Sequence, residues 1–359
     1  MQFMFWKNGP VFFMMALLII SSSGAAQSVK KKVSTFPFPI IYYTPETKLA
    51  YGIAGTVTFR YENDSLNKKP STIFAGIAGT QNRQFLIYTQ YQLFLNGFYL
   101  FGEAGYYKYN YFFYGTGNNT VTEELYAVNY PRIKINAAYK WVPHFYAGLG
   151  YQYESYNIKN TTINGELNKG LIPGSTGSVV SGLGVQTVYD TRDSVLFPTK
   201  GWFANASFMM NGKYIGGNYN FNRFVLEVSA YKKLTAKLML AVNSYNSIIT
   251  GNAPFQQLSQ AGGNKLLRGY YQGRYMDKNM IALQTELRFP VYKRFGAALF
   301  GSSGVLGGDV HFLDFNQMRY SYGAGFRFTI NRKEHLNLRL DYALGKGTSG
   351  FYLAFGEAF

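Results

Sequence analysis

Leu336-Asn337-Leu338-Arg339-Leu340-Asp341-Tyr342 alternates apolar and polar residues without a break. An extended strand turns successive side chains to opposite faces. One face here carries Leu336, Leu338, Leu340 and Tyr342, and the other Asn337, Arg339 and Asp341. A single strand of this kind suits a soluble core equally well, so the decision rests on repetition. Ile281, Leu283, Thr285, Leu287 and Phe289 oppose Ala282, Gln284, Glu286 and Arg288 in the same way. Tyr322, Ala324, Phe326, Phe328 and Ile330 oppose Ser321, Gly323, Gly325, Arg327 and Thr329. Half-apolar strands of about ten residues, repeated along a chain, form the pattern of a transmembrane β-barrel. Backbone groups in lipid must all be paired, which forces such strands into a ring.

Composition agrees. The 359 residues suffice for two soluble domains or one large barrel. Only 15% are charged, against about 25% in ordinary soluble domains. The 32 tyrosines and 31 phenylalanines suit interfacial girdles, where amphipathic rings meet lipid headgroups. The absence of cysteine excludes a disulfide scaffold, a thiolate-held metal or cluster, a cysteine nucleophile and a lipidated N-terminal cysteine. Three scattered histidines, His144, His311 and His335, and no serine tied to them by a motif make a hydrolytic enzyme a poor fit. No cofactor is expected. The net charge of +17 is spread along the chain without a basic helix, so nucleic acid is not an expected partner.

Residues 1–26 read as a signal peptide. Lys7 precedes an apolar run from Val11 to Ile20, and Gly24 and Ala26 suit cleavage before Gln27. The run is too short for the roughly 20 residues of a membrane-spanning helix. Residues 27–35, with Lys30 to Lys32, form a short periplasmic arm, and 36–359 the barrel. Sixteen strands are expected, near 36–43, 48–61, 71–81, 84–95, 98–110, 121–139, 143–157, 178–190, 201–212, 218–231, 236–249, 278–291, 294–306, 318–330, 335–345 and 350–359. Counted from a periplasmic start, the outer connections 111–120, 158–177, 250–277 and 307–317 are the long ones. Bacterial barrels have short periplasmic turns and long surface loops, so this parity agrees with an even count.

Ala261 to Val291, AGGNKLLRGYYQGRYMDKNMIALQTELRFPV, resembles the barrel domain of the Omp85 superfamily, also called the bacterial surface antigen family. Leu267-Arg268-Gly269-Tyr270 is similar to the tip of that family's long sixth extracellular loop. Asp190-Thr191-Arg192-Asp193 through Pro198 to Gly201-Trp202 resembles the family's turn before strand nine, and Tyr43 to Thr47 the opening of surface-antigen barrels. The resemblance spans about 36–359 and implies that the loop folds back into the barrel, with Arg268 held by Glu286. Ser302 stands where the family carries a second acidic partner, so a weaker, more mobile clamp is expected. Family insertases and transporters usually carry periplasmic POTRA domains before the barrel, and the short arm implies a member without them.

What the resemblance implies is a role in protein or lipid insertion or translocation at the bacterial outer membrane. The partners would be outer-membrane lipids and periplasmic or outer-membrane proteins, with the barrel a monomer or a subunit of a hetero-complex. The mechanism would be a weak seam between first and last strands. Pro37 and Pro39 remove backbone donors there, and Phe359 would end the last strand at that seam. The alternative is a passive pore or structural barrel, with Arg288, Arg327 and Arg339 lining a lumen whose charge Glu286 and Asp341 offset.

Overall fold

The computed structural model describes residues 33–44, 46–60, 69–117, 123–309, 314–331 and 336–359. The expected signal peptide, Lys30 to Lys32, Pro45, His311 and His335 lie outside the described residues.

The alternating segments form the strands of one antiparallel sheet. In chain order they are β1 (Val33–Thr44), β2 (Lys48–Phe59), β3 (Ser71–Thr80), β4 (Phe85–Leu95), β5 (Phe98–Phe113), β6 (Glu124–Val142), β7 (Phe145–Asn160), β8 (Ser178–Asp190), β9 (Gly201–Asn211), β10 (Phe221–Lys233) and β11 (Met239–Gly251). After a long connection come β14 (Asn279–Tyr292), β15 (Phe295–Gly307), β16 (Arg319–Asn331), β17 (Leu336–Gly345) and β18 (Thr348–Phe355). These form a 16-stranded sheet in which each strand pairs with its neighbours in this order. The connection between β11 and β14 holds a separate hairpin, β12 (Ser259–Ala261) with β13 (Tyr275–Asp277).

Burial shows what the sheet curls around. Tyr51, Ile53, Ile87, Ile135, Leu149, Leu299 and Tyr322 are exposed, whereas Glu154, Gln186, Asn243, Glu286, Arg327, Arg339 and Asp341 are buried. A soluble protein would invert this distribution. An apolar outside and an ion-paired inside suit a wall with lipid on one face and a lumen on the other. Exposed Trp141, Trp202, Val291 and Tyr292 ring the end that carries the short turns, where aromatic anchors meet an interface.

The first strand departs from expectation. It begins at Val33, inside the expected arm, and all twelve of its residues pair with β2, Pro37 opposite Gly55 and Pro39 opposite Ile53. The prolines therefore do not shorten it. They share one parity, so their missing N–H groups point to one side of the strand. The unbroken register with β2 makes the free edge that side, where proline is tolerated.

Candidate functional site

The long connection from β11 to β14 lies against the lumen face of β14–β18. Gly269 adopts φ +108°, and a Cβ there would stand 2.8 Å from the Leu344 carbonyl carbon. A side chain would push the loop off the wall, so glycine's freedom is needed at this point. The Gly269 amide donates to the Tyr352 hydroxyl at 2.7 Å, and that hydroxyl donates to the Tyr270 carbonyl at 3.3 Å. The Tyr270 ring lies over Gly345, and its hydroxyl donates to the Tyr320 carbonyl at 2.9 Å.

This seating puts Arg268, 1% exposed, among the lumen-facing charges. Its Nη2 is 2.6 Å from Glu286 Oε1, and its Nη1 is 2.6 Å from Asp341 Oδ2. The guanidinium lies 3.5 Å from the Phe300 ring centre, adding a cation–π contact. Arg327 reaches Asp341 at 2.6 Å, Arg288 reaches Glu286 at 2.7 Å, and Arg339 reaches Asp341 at 3.2 Å. Such a network persists out of water because each charge faces an opposite one.

The structure brings Arg268, Gly269, Tyr270 and Glu286 to one place, and it leaves Ser302 out. The Ser302 hydroxyl is 2.7 Å from that of Ser321. The second acid comes instead from Asp341 on β17, so the expected loss of a charged partner is corrected. The reason is reach: Asp341 shares the lumen face with Arg339, across the ladder from Gly325, whose missing side chain leaves space for its carboxylate. The alternation of Leu336 to Tyr342 already displayed Asp341 on that face; only the tertiary fold told which arginine it meets.

A second charged cluster, centred on buried Glu154, sits on another part of the wall. Arg132 meets Glu154 at 2.9 Å, Lys134 meets Glu103 at 3.2 Å, and the Tyr156 hydroxyl donates to Glu154. Gln257 of the loop donates to that hydroxyl at 3.3 Å, and Phe255 packs against Phe113 and Tyr126. The loop is therefore seated at both ends. Sequence reasoning passed over this cluster, although Glu103, Arg132, Lys134 and Glu154 obey the lumen alternation.

The seam between β1 and β18 has an unusual construction. No backbone ladder joins the two strands among the described residues. Phe38 and Ile40 are buried and stand opposite Ala54 and Gly52, on the lumen face of β1 and β2. Tyr352 and Ala354 stand opposite Asp341 and Arg339, so they face the lumen, and Leu353 and Phe355 belong to the outer face of β18. Phe38 and Phe355 nevertheless touch, ring centres 3.9 Å apart, and Leu353 joins the same apolar cluster. The inner face of β1 thus covers the outer face of β18: the strands overlap and do not continue one sheet. Near the same end Leu336 of β17 lies beside Ser34 and Phe36 of β1, with Leu196 of the β8–β9 turn.

Phe359 is not part of this seam. Gly356, at φ +75°, turns the chain inward after β18. Glu357 then accepts hydrogen bonds from Arg327 Nε and Asn337 Nδ2, both at 2.9 Å. Phe359 packs with Phe203, Tyr231 and Met239, on the wall of β9–β11, and its backbone oxygen accepts from Arg288 Nη2 at 3.1 Å. Attraction of Glu357 to Arg288 and Arg327 draws the segment across the lumen, which a strand pattern cannot register.

The turn before β9 is braced by its own side chains. Arg192 donates to both Asp190 oxygens, at 2.9 and 3.0 Å, and its guanidinium lies 4.2 Å from the Phe203 ring centre. Lys69 reaches Asp190 at 2.6 Å. Burial depresses the Lys69 ammonium pKa, and the Asp190 charge offsets only part of this. Asp193 accepts from the Thr199 amide at 2.8 Å. Partial burial works to raise the Asp193 pKa, but the Thr199 and Lys200 hydrogen bonds outweigh it and hold the carboxyl below its usual range. Pro198 is buried, and a Cβ on Gly201 would stand 2.4 Å from the Thr191 carbonyl oxygen.

Among the described residues no group of histidines and carboxylates is placed to hold a metal. The geometry defines a class: an antiparallel β-barrel with a long connection clamped to its inner wall beside an unladdered seam. Residues 80–359 match the Omp85 superfamily domain, and the chain belongs to that superfamily. It is accordingly an outer-membrane β-barrel of that superfamily. No curated protein matches the chain by sequence. Among solved structures it is similar to BamA from Haemophilus ducreyi lacking POTRA domains 1–3, at 16% identity and TM-score 0.59, covering 90% of this chain and 70% of that one. It is also similar to CdiB from Escherichia coli, at 12% identity and TM-score 0.60, covering 91% of this chain and 63% of that one. For CdiB from Acinetobacter baumannii the values are 13%, 0.57, 90% and 60%. The chain therefore spans about 60–70% of these relatives' length.

Proposed function

We propose that this barrel handles protein or lipid clients at the outer membrane by parting the β1–β18 seam, with the Arg268 clamp holding the loop that backs the closed state. The observation that carries this is the overlap: the inner face of β1 rests on the outer face of β18 through Phe38, Leu353 and Phe355, without a backbone ladder. Apolar contacts of this kind can slide apart without breaking a row of hydrogen bonds, whereas an ordinary strand pair must lose each one. A standing pore is the poorer reading, because the loop and the Glu357–Phe359 segment occupy the lumen beside β14–β18.

The chain lacks cysteine, which makes a clean test available. The double variant Phe38→Cys/Phe355→Cys, joined by a short bifunctional thiol reagent in proteoliposomes, should lose its ability to accelerate insertion of an unfolded outer-membrane barrel. The same variant before cross-linking should retain it. Equal acceleration with the seam locked would defeat the proposal, and a steady single-channel conductance insensitive to the lock would favour the pore.

A further inference from the structure

The outer surface carries a notch that the seam and the loop do not use. The β3–β4 hairpin is short, and β4 starts with Phe85 opposite Lys108. Beyond that level β5, β6 and β7 rise without β4 beside them. The step encloses a cavity of about 440 Å³, lined among others by Asn82, Arg83, Lys108, Leu125, Lys159 and Asn160.

Three observations describe what would fit there. First, the notch opens on the lipid side. Lys108 shares the parity of Tyr106 and stands opposite Phe85, both exposed, whereas Tyr107 and Tyr130 of the intervening parity stack with each other on the lumen side. Leu125, 43% exposed, lies on its wall. Second, it sits at the rim of the apolar band. Below it on the same face run Phe85, Ile87, Tyr106, Ile133 and Ile135, all exposed. A cation just above a lipid-facing apolar band lies at headgroup depth.

Third, its charge is one-sided. No acidic residue lines the cavity. Among the described residues Arg83, Lys108 and Lys159 have no carboxylate partner, unlike the lumen arginines Arg132, Arg268, Arg288 and Arg327. Glu46, on the neighbouring β1–β2 turn, is buried and receives the Tyr271 hydroxyl. Asn82, Asn110, Asn129 and Asn160 add neutral polar groups around the cations. Cations converging with amide donors suit a phosphate group.

We propose that this notch binds the phosphate of an outer-leaflet lipid headgroup, with the acyl chains lying down the wall over Tyr106 and Ile87. The occupant is a membrane lipid and not a free anion, because the cavity opens onto the apolar band. The inference rests on the membrane setting and not on the seam, so failure of either proposal leaves the other standing.

The test uses the full barrel in mixed detergent micelles, with phosphatidylglycerol as probe. Native mass spectrometry should find phosphatidylglycerol retained by the unmodified protein. The triple variant Arg83→Gln/Lys108→Gln/Lys159→Gln should need roughly tenfold or more lipid for the same occupancy, since it removes every cation that faces the phosphate in the notch. All three side chains are on the surface, and an unchanged heat-induced gel shift would show the variant folded. Phosphatidylcholine should be retained weakly and equally by both proteins. Equal phosphatidylglycerol retention by the two proteins would overturn the site. Displacement of the lipid by millimolar inorganic phosphate would overturn the lipid assignment in favour of a free-anion pocket.

Discussion

The β5–β7 wall and the β17–β18–β1 edge are made of the same alternating strands, yet they are held by different forces. On the tall wall the register runs from Phe98 opposite Tyr139 to Phe113 opposite Glu124, a ladder along the whole of β5. At the edge, β18 is eight residues long, pairs among the described residues only with β17, and meets β1 through side chains. A ladder is cooperative and directional, whereas an apolar contact is neither. Where one barrel contains both, the apolar contact is the place that can part while the rest keeps its shape. The ion network beside β18 compensates, tying the loop, the wall and the Glu357 segment together just inside the weaker edge.

Removing the network should have the largest effect. Asp341→Asn strips a partner from Arg268, Arg327 and Arg339 together. Removing one partner of a buried pair costs about 3–5 kcal/mol, so the heat-induced gel transition should fall sharply and the loop should become open to protease. An unchanged transition would mean that the edge does not depend on the network. The next effect sharpens the contrast between the two sides. A thiol cross-link through Ala104→Cys/Ile133→Cys, opposite residues of β5 and β6, should leave client insertion intact where the Phe38/Phe355 lock abolishes it. Equal loss from both locks would point to overall rigidity and remove the distinction.

Tyr352→Phe should act more mildly. It deletes the hydroxyl that accepts from Gly269 and donates to Tyr270, a cost of about 1–3 kcal/mol when buried groups lose partners. Faster amide exchange at Gly269, with the Arg268 pairs retained, is the expected signature. Ser302→Ala should be the smallest. It loses one hydrogen bond to Ser321, about 0.5–1.5 kcal/mol, and should leave loop exposure unchanged. A loop that loosens in this variant would return Ser302 to the clamp and count against Asp341 as the second acid.

The alternation of Leu336 to Tyr342 and its repeats carried the strand pattern, because a membrane wall imposes period 2 on nearly every strand. The same alternation put Glu286, Arg327 and Asp341 on one face, and the Leu267 to Tyr270 motif singled out Arg268. The resemblance placed Ser302 beside Arg268, but a motif position does not give a side chain's reach across the lumen, and its hydroxyl meets Ser321 instead. Pro37 and Pro39 remove donors from β1, yet the strand pairs fully with β2, because a sequence does not tell which edge of a strand is free.

The sequence by itself determined the properties that each residue settles with its immediate neighbours: strand periodicity, lipid and lumen faces, and the lack of cysteine chemistry. Contacts between distant segments required the tertiary structure. It decided that β18 passes behind β1, that Asp341 meets Arg268, and that Phe359 crosses to the β9–β11 wall. The physical reason is that local pattern fixes the direction of a side chain, whereas partner choice in a closed barrel depends on curvature, strand height and the balance of charges that several strands share.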